Sequence, residues 1–121
     1  EERSQKSYRP MGAKDDELRI LWMPKAQIQY LDALLFWMKK TFSRSYSDKI
    51  ETEVEKIANL LKQTPRIGQK VYDIENTTEE LRRVIVLHNF SIYYKIIEDK
   101  KEIRFIVFWD NRNDPDELDL N

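Results

Sequence analysis

The side chains most able to do chemistry in this sequence are cations set in or beside apolar runs. Arg82 and Arg83 stand side by side in 81–87, Leu-Arg-Arg-Val-Ile-Val-Leu, and Arg112 follows the apolar run 103–109. Guanidiniums on rigid strands offer fixed forks to a phosphate or a carboxylate, where a lysine offers only a point charge. Breaking a phosphodiester asks for more: a base for the attacking hydroxyl, an acid for the leaving oxygen and cations for the growing charge. His88 is the one histidine and the obvious base, but beside Asn89 between two apolar runs it reads as an exposed turn residue. Asp110, Asp114 and Asp116 are oxygen donors of the kind divalent cations take. They stand in a polar stretch with no other ligands converging by sequence, so they read as solvated, and no metal or other cofactor is expected. Trp109 is a possible stacking platform for a base, but strict alternation puts it with Ile103, Phe105 and Val107 on a core-facing side.

These residues need elements to hold them. Residues 18–23, Leu-Arg-Ile-Leu-Trp-Met, predict a short strand ended by Pro24, which suits the first turn of a helix because it has no amide hydrogen to lose. From there Ile28, Leu31, Leu35, Met38 and Phe42 recur at spacings of three and four, and Tyr30, Leu34 and Trp37 form a second stripe alongside. Residues 43–47 supply N-caps for a second helix with Ile50, Val54, Ile57 and Leu61 on one side. So short a link makes the two helices antiparallel. Pro65-Arg66-Ile67-Gly68 predicts a turn, with Gly68 free to take a positive φ. The period then changes to two. Residues 71–74 suggest a short strand or extended loop, and 81–87, 90–97 and 103–109 are strands rich in Val, Ile, Phe and Tyr. The short connections at 88–89 and 98–101 make these three an antiparallel meander. The expected fold is therefore α+β: an N-terminal strand, then an antiparallel helical hairpin packed on a three- to four-stranded antiparallel sheet.

Composition bounds what such a chain does. Its 121 residues suit one core, and 40% apolar with 12% aromatic residues is enough to fill it. Residues 1–16 show no periodicity and are expected to be a flexible arm or an expression remnant. Residues 17–118 form the domain, and 119–121 end an acidic tail. The absence of cysteine excludes disulfides and thiolate metal sites and fits a reducing cytoplasm. No apolar run approaches the roughly 20 residues that span a bilayer, so no membrane partner is expected. The net charge of −1 is uneven: residues 18–113 carry 17 Lys and Arg against 13 Asp and Glu, about +4, while the tail is acidic. A strong nucleic-acid binder is usually more basic.

The order of strand, helical hairpin, Pro65-Arg66-Ile67-Gly68 turn, Arg82-Arg83 strand, Ile92-Tyr93-Tyr94 strand and closing Phe108-Trp109-Asp110-Asn111-Arg112 resembles the RelE/ParE toxins of bacterial type II toxin-antitoxin systems. The resemblance covers about residues 18–118. The closing Trp109-Asp110-Asn111-Arg112-Asn113-Asp114-Pro115 resembles a ParE-like branch. The resemblance implies a small toxin, associated with plasmid stabilization and growth inhibition and neutralised by a co-encoded antitoxin that wraps an extended and helical segment over it. RelE-like members cleave messenger RNA in the ribosomal A site, and ParE-like members poison DNA gyrase.

The nuclease branch implies five groups that this chain largely lacks. Arg82 matches one basic strand position, but the next is Val84; Ser91 stands where an arginine follows, and Leu118 roughly where a tyrosine stacks on the base. Arg112 clearly matches the arginine after the last strand. The reading that follows is a non-enzymatic, ParE-like toxin that binds a protein target such as DNA gyrase. The alternatives are a metal-independent, ribosome-dependent endoribonuclease using Arg82, Arg83 and Arg112 as cations, and an inactive relative that only binds its antitoxin. The three arginines are expected in one basic patch, with Arg82 sharing a face with Arg112. Tyr30, Leu34 and Trp37 are expected as the stripe a small sheet cannot cover, and hence as antitoxin-binding residues.

Overall fold

The computed structural model describes residues 17–71 and 80–121. Strand β1 (Arg19–Trp22) leads into helix α1 (Pro24–Thr41) and helix α2 (Ser45–Gln63), followed by a 3-10 turn at Pro65–Ile67. Then come β2 (Gln69–Lys70), β3 (Glu80–Val86), β4 (Phe90–Ile97), β5 (Glu102–Asp110) and a second 3-10 turn at Pro115–Glu117. The expected α+β class holds, and the sheet is larger than the meander alone. It has five strands in the order β1-β5-β4-β3-β2, with β1 parallel to β5 and every other pair antiparallel. β1 joins as an edge, with Ile20 and Trp22 packed against the core and Arg19 beside Glu102, guanidinium to carboxylate at 2.9 Å. Of the strand or loop expected at 71–74 only Val71 is described, and the ladder there is made just before it by Gln69 and Lys70. The arm expected at 1–16 lies outside the described residues.

Pro24 opens α1 as expected, and Phe42 ends it in the left-handed region at φ 54°. The two apolar stripes of α1 take opposite places from those expected. Leu34 is buried, and Tyr30 and Trp37 are half-buried against the core, whereas Ile28, Leu31 and Leu35 are 59%, 50% and 49% exposed. Small Ala26 and Ala33 on the inward side let the helix approach the sheet. The aromatics then find rings: Trp22 stacks on Tyr30 at 4.8 Å, and Tyr30 meets Phe108 at 5.1 Å. Aromatic side chains bury the largest area and gain about 0.5–1.5 kcal/mol more per ring pair, so their stripe wins the sheet. Burial, together with Glu51 and Glu55 nearby, pushes the Tyr30 hydroxyl up to about 12.

Helix α2 is pinned to α1 by a buried side chain as well as by Ile50, Val54 and Leu61. Ser47 Oγ donates to the Leu34 carbonyl at 2.7 Å. Of the serines expected as caps, Ser43 accepts the Ser45 backbone N–H at 3.0 Å, one residue ahead of the formal cap position.

A β-bulge sets the faces of β5. Tyr94 pairs with Phe105 and Tyr93 with Val107, so Ile106 is skipped. Phe105 and Phe108 therefore both belong to the core under the helices, and Val107 turns to the other side. Trp109 accordingly departs from the alternation that placed it beside Phe105. It packs on a second, smaller cluster with Leu81, Tyr93 and Val107, which Leu118 and Leu120 of the tail cover.

Gly68 also departs from expectation, with an ordinary extended φ of −71°. What it provides is room. Its N–H donates to the Tyr94 hydroxyl at 3.0 Å, that hydroxyl donates to the Pro65 carbonyl at 2.7 Å, and a Cβ here would stand 2.8 Å from the Arg83 carbonyl and nearer still to the Tyr94 hydroxyl. Gly68→Ala should therefore lower stability by about 1–3 kcal/mol, the cost of overpacking a tight contact, read as a lower urea midpoint. An unchanged midpoint would mean that the turn yields without cost.

Candidate functional site

β1 is four residues long and stops where Trp22 pairs with Phe105, so the rest of β5 has no strand on that side. Helix α1 runs beside this open stretch and partly satisfies it: Gln29 Oε1 accepts the Phe108 backbone N–H at 3.0 Å. Between them lies an open groove of about 550 Å³, with Phe90 and Phe108 at its base, Phe36 and Trp37 on the helix wall, and Asp110 and Arg112 at the end of the strand. Phe36, 52% exposed, joins the groove to the solvent-facing side of α1.

Arg112 is fixed in this groove. Its Nε donates to Asp110 Oδ1 at 2.9 Å and its Nη2 to Oδ2 at 2.6 Å, while its backbone N–H donates to Oδ1 at 3.0 Å. The guanidinium carbon also sits 5.0 Å from the centre of the Trp37 ring, a cation-π contact. Hydrogen bonding from the Arg112 side chain holds the Asp110 carboxyl below its ordinary range against the opposing effect of burial. An ionised Asp110 with both oxygens bonded is a poor general acid near neutral pH. The groove thus presents aromatic surface and a neutralised ion pair.

Arg82 has a structural post. Its Nε donates to Glu80 at 2.5 Å, and its Nη1 donates to the carbonyls of Gly68 at 2.7 Å and Arg66 at 3.0 Å, stitching β3 to the preceding turn. Burial alone would raise the Glu80 carboxyl, yet Arg82 and Arg66 together hold it below the usual carboxylate range. Arg83 points to the other side of the sheet, where its Nε donates to Ser91 Oγ at 3.1 Å. His88 is exposed in the turn 87–89 with φ 67°.

The single patch of Arg82, Arg83 and Arg112 is not formed. Arg82 shares the helix side with Arg112, but Arg82 is level with Tyr94, and Arg112 lies past Asp110, which is level with Phe90. Four strand residues separate those levels, about 13 Å. In a meander the first and third strands run the same way, so the start of β3 lies near the start of β5 and far from its exit. Reasoning from sequence also missed the bond between Arg83 and Ser91, which only the β3–β4 register brings about. The open end of β5 was missed too, although the shortness of the 18–23 run hinted at it. Among the described residues no three His, Cys, Asp or Glu side chains converge as they would around a metal ion, and no helix is long and apolar enough to cross a membrane.

No family model and no curated protein matches the sequence. Among solved structures, a chain from the chromosomal ParDE TA system of P. aeruginosa has a TM-score of 0.59 to this one at 14% identity, covering 78% of this chain and 97% of that one. A likeness at that identity establishes the fold, and it is the fold that the resemblance in the sequence implied.

Since the folded pKa of Asp110 lies below its ordinary value, the fork's contribution to stability is complete above that ordinary value and is lost as pH falls through the folded one. Arg112→Ala should return the Asp110 carboxyl towards its ordinary range in an NMR titration and remove this part of the acid limb. Stability at pH 7 should change by no more than about 1 kcal/mol, since Arg112 is half-exposed. A titration curve for Asp110 that does not move would show that the fork is not what lowers it.

Proposed function

We propose that this chain is the toxin component of a bacterial type II toxin-antitoxin pair, acting in the cytoplasm by binding a protein target, with DNA gyrase as the expected one. The observation that carries this reading is the uncovered face of α1. Ile28, Leu31 and Leu35 form a stripe on a helix whose other side already holds the core, and Phe36 continues it into the groove beside β5. Apolar side chains in register on one helix face suit a partner's helix laid alongside, and an apolar groove suits an inserted side chain. The antitoxin surface we propose is therefore Ile28, Leu31, Leu35 and Phe36, in place of Tyr30, Leu34 and Trp37. The shared fold with a chain of a ParDE TA system supports an antitoxin as that partner.

The arrangement of cations supports a binding role over RNA cleavage. Arg82 and Arg112 are each engaged by a carboxylate and stand apart along the sheet. A scissile phosphate needs cations and a base within a few ångströms of one another. We propose Arg112 as a contact for the target at the mouth of the groove, and Arg82 as a structural residue.

Induced expression, followed by separate assays of messenger RNA integrity and gyrase supercoiling, tests the reading. Growth arrest with inhibited supercoiling and intact transcripts is expected. Rapid transcript cleavage in translating extracts would move the chain to the nuclease alternative, and no growth defect would leave a relative that only binds its antitoxin. Leu31→Glu with Leu35→Glu should weaken binding to the product of a neighbouring co-transcribed frame by at least about 2 kcal/mol, the scale of a central contact. The same pair should leave the unfolding free energy, read from a urea titration, within about 0.5 kcal/mol of the parent, because both side chains are already half in water.

A further inference from the structure

The arginines of the described chain differ in one respect. Arg19 is paired with Glu102, Arg44 with Asp48 and Glu51, Arg66 with Glu80 and Glu98, Arg82 with Glu80, Arg104 with Glu102 and Arg112 with Asp110. Arg83, in the middle of β3 on the side of the sheet away from the helices, has no carboxylate among the described residues. It is nonetheless held. Its Nε donates to Ser91 Oγ at 3.1 Å, and the fully buried Ser91 hydroxyl donates to Asn111 Oδ1 at 2.7 Å. Asn111 is itself anchored on the β3–β4 hairpin, its backbone N–H donating to the Asn89 carbonyl at 2.8 Å and its Nδ2 to the His88 carbonyl at 3.4 Å.

This relay uses the inner nitrogen of the guanidinium, bonded to Ser91 on β4. Nη1 and Nη2 are left without an acceptor among the described residues, on a partly exposed side chain. Two parallel N–H groups at fixed spacing match the two oxygens of a carboxylate, and an arginine already held in place loses less freedom on binding than a mobile one. Ile85, level with Ser91 on the same side of the sheet and 44% exposed, offers an apolar contact next to the fork.

We propose that Arg83, positioned by Ser91 and Asn111, is a recognition site for a carboxylate of a partner polypeptide, with Ile85 receiving an apolar side chain next to that acid. A nucleic acid fits less well. A phosphate backbone is held by a row of cations, whereas Arg104, on this side of the sheet, is already bound to Glu102. The site is separate from the α1 surface and does not depend on the toxin reading.

The test is an NMR titration of the full chain at pH 7, following the Arg83 Nε–H signal and the Ser91 and Asn111 amides. The probes are acetyl-Leu-Glu-Leu-amide, acetyl-Leu-Gln-Leu-amide and an oligouridylate. The glutamate peptide should shift these signals saturably and bind at least tenfold more tightly than the glutamine peptide. Arg83→Lys should bind it at least fivefold more weakly, because a point charge cannot fork two oxygens. Ser91→Ala, which keeps the charge and removes the relay, should weaken binding about three- to tenfold with the amide spectrum otherwise retained. Equal binding of the two peptides, no saturable shift, or unchanged affinity in Arg83→Lys would overturn the site. Tighter binding of the oligouridylate would overturn the choice of partner, and unchanged affinity in Ser91→Ala the positioning role. If Ser91→Ala does not fold, Asn111→Ala cuts the same relay from the exposed end.

Discussion

The skipped residue Ile106 determines which way every later side chain of β5 points, and much of the molecule's surface chemistry depends on that offset. With it, Phe108 turns under α1 to meet Tyr30 and Phe90, and Asp110 follows on the same side, where it brings Arg112 over Trp37. Val107 and Trp109 go to the opposite side and make an apolar floor for Leu118 and Leu120. A strand without the bulge would exchange these two sets, burying Asp110 among the outer apolar residues and leaving the groove without its ion pair. The bulge is thus what allows one strand to serve the core and both outer surfaces.

Electrostatically the molecule is close to neutral by local pairing. Guanidiniums and carboxylates meet two residues apart along the chain, as Glu80 with Arg82, Glu102 with Arg104 and Asp110 with Arg112. Asp110 gives both oxygens to Arg112, whereas Glu80 and Glu102 each divide theirs with a second arginine, Arg66 and Arg19, which leaves little field to draw in a polyanion. Such a surface suits recognition by shape and apolar contact, with charge acting at single points.

Period-two patterning made β3, β4 and β5 readable to within a residue at each end, because half-buried strands must alternate. Pro24 and Pro65 marked real boundaries for reasons of backbone chemistry. The orientation of α1 was not readable from apolar content, since the longer stripe is the one left exposed; the informative residues were the small ones, Ala26 and Ala33, which pack on the core side. Ile106 sits in an unbroken apolar run with no glycine or proline to betray a bulge. The role of Gly68 depends on Tyr94, distant in sequence, and the partners of Arg82, Arg83 and Arg112 depend on register and strand direction. Local propensity is silent on both.

The pairing of β1 with β5 closes the sheet between segments as far apart as Arg19 and Glu102, 83 residues along the chain. Pairings of such long range come late, because the entropy of closing the loop must be met before the contact gives anything back. During synthesis β1 emerges well before its partner, so Trp22 has no Phe105 to rest against and α1 has no Phe108 beneath it until β5 is out. The groove beside α1 is therefore a late product of folding, and a partial chain lacking β5 would offer an incoming protein none of it.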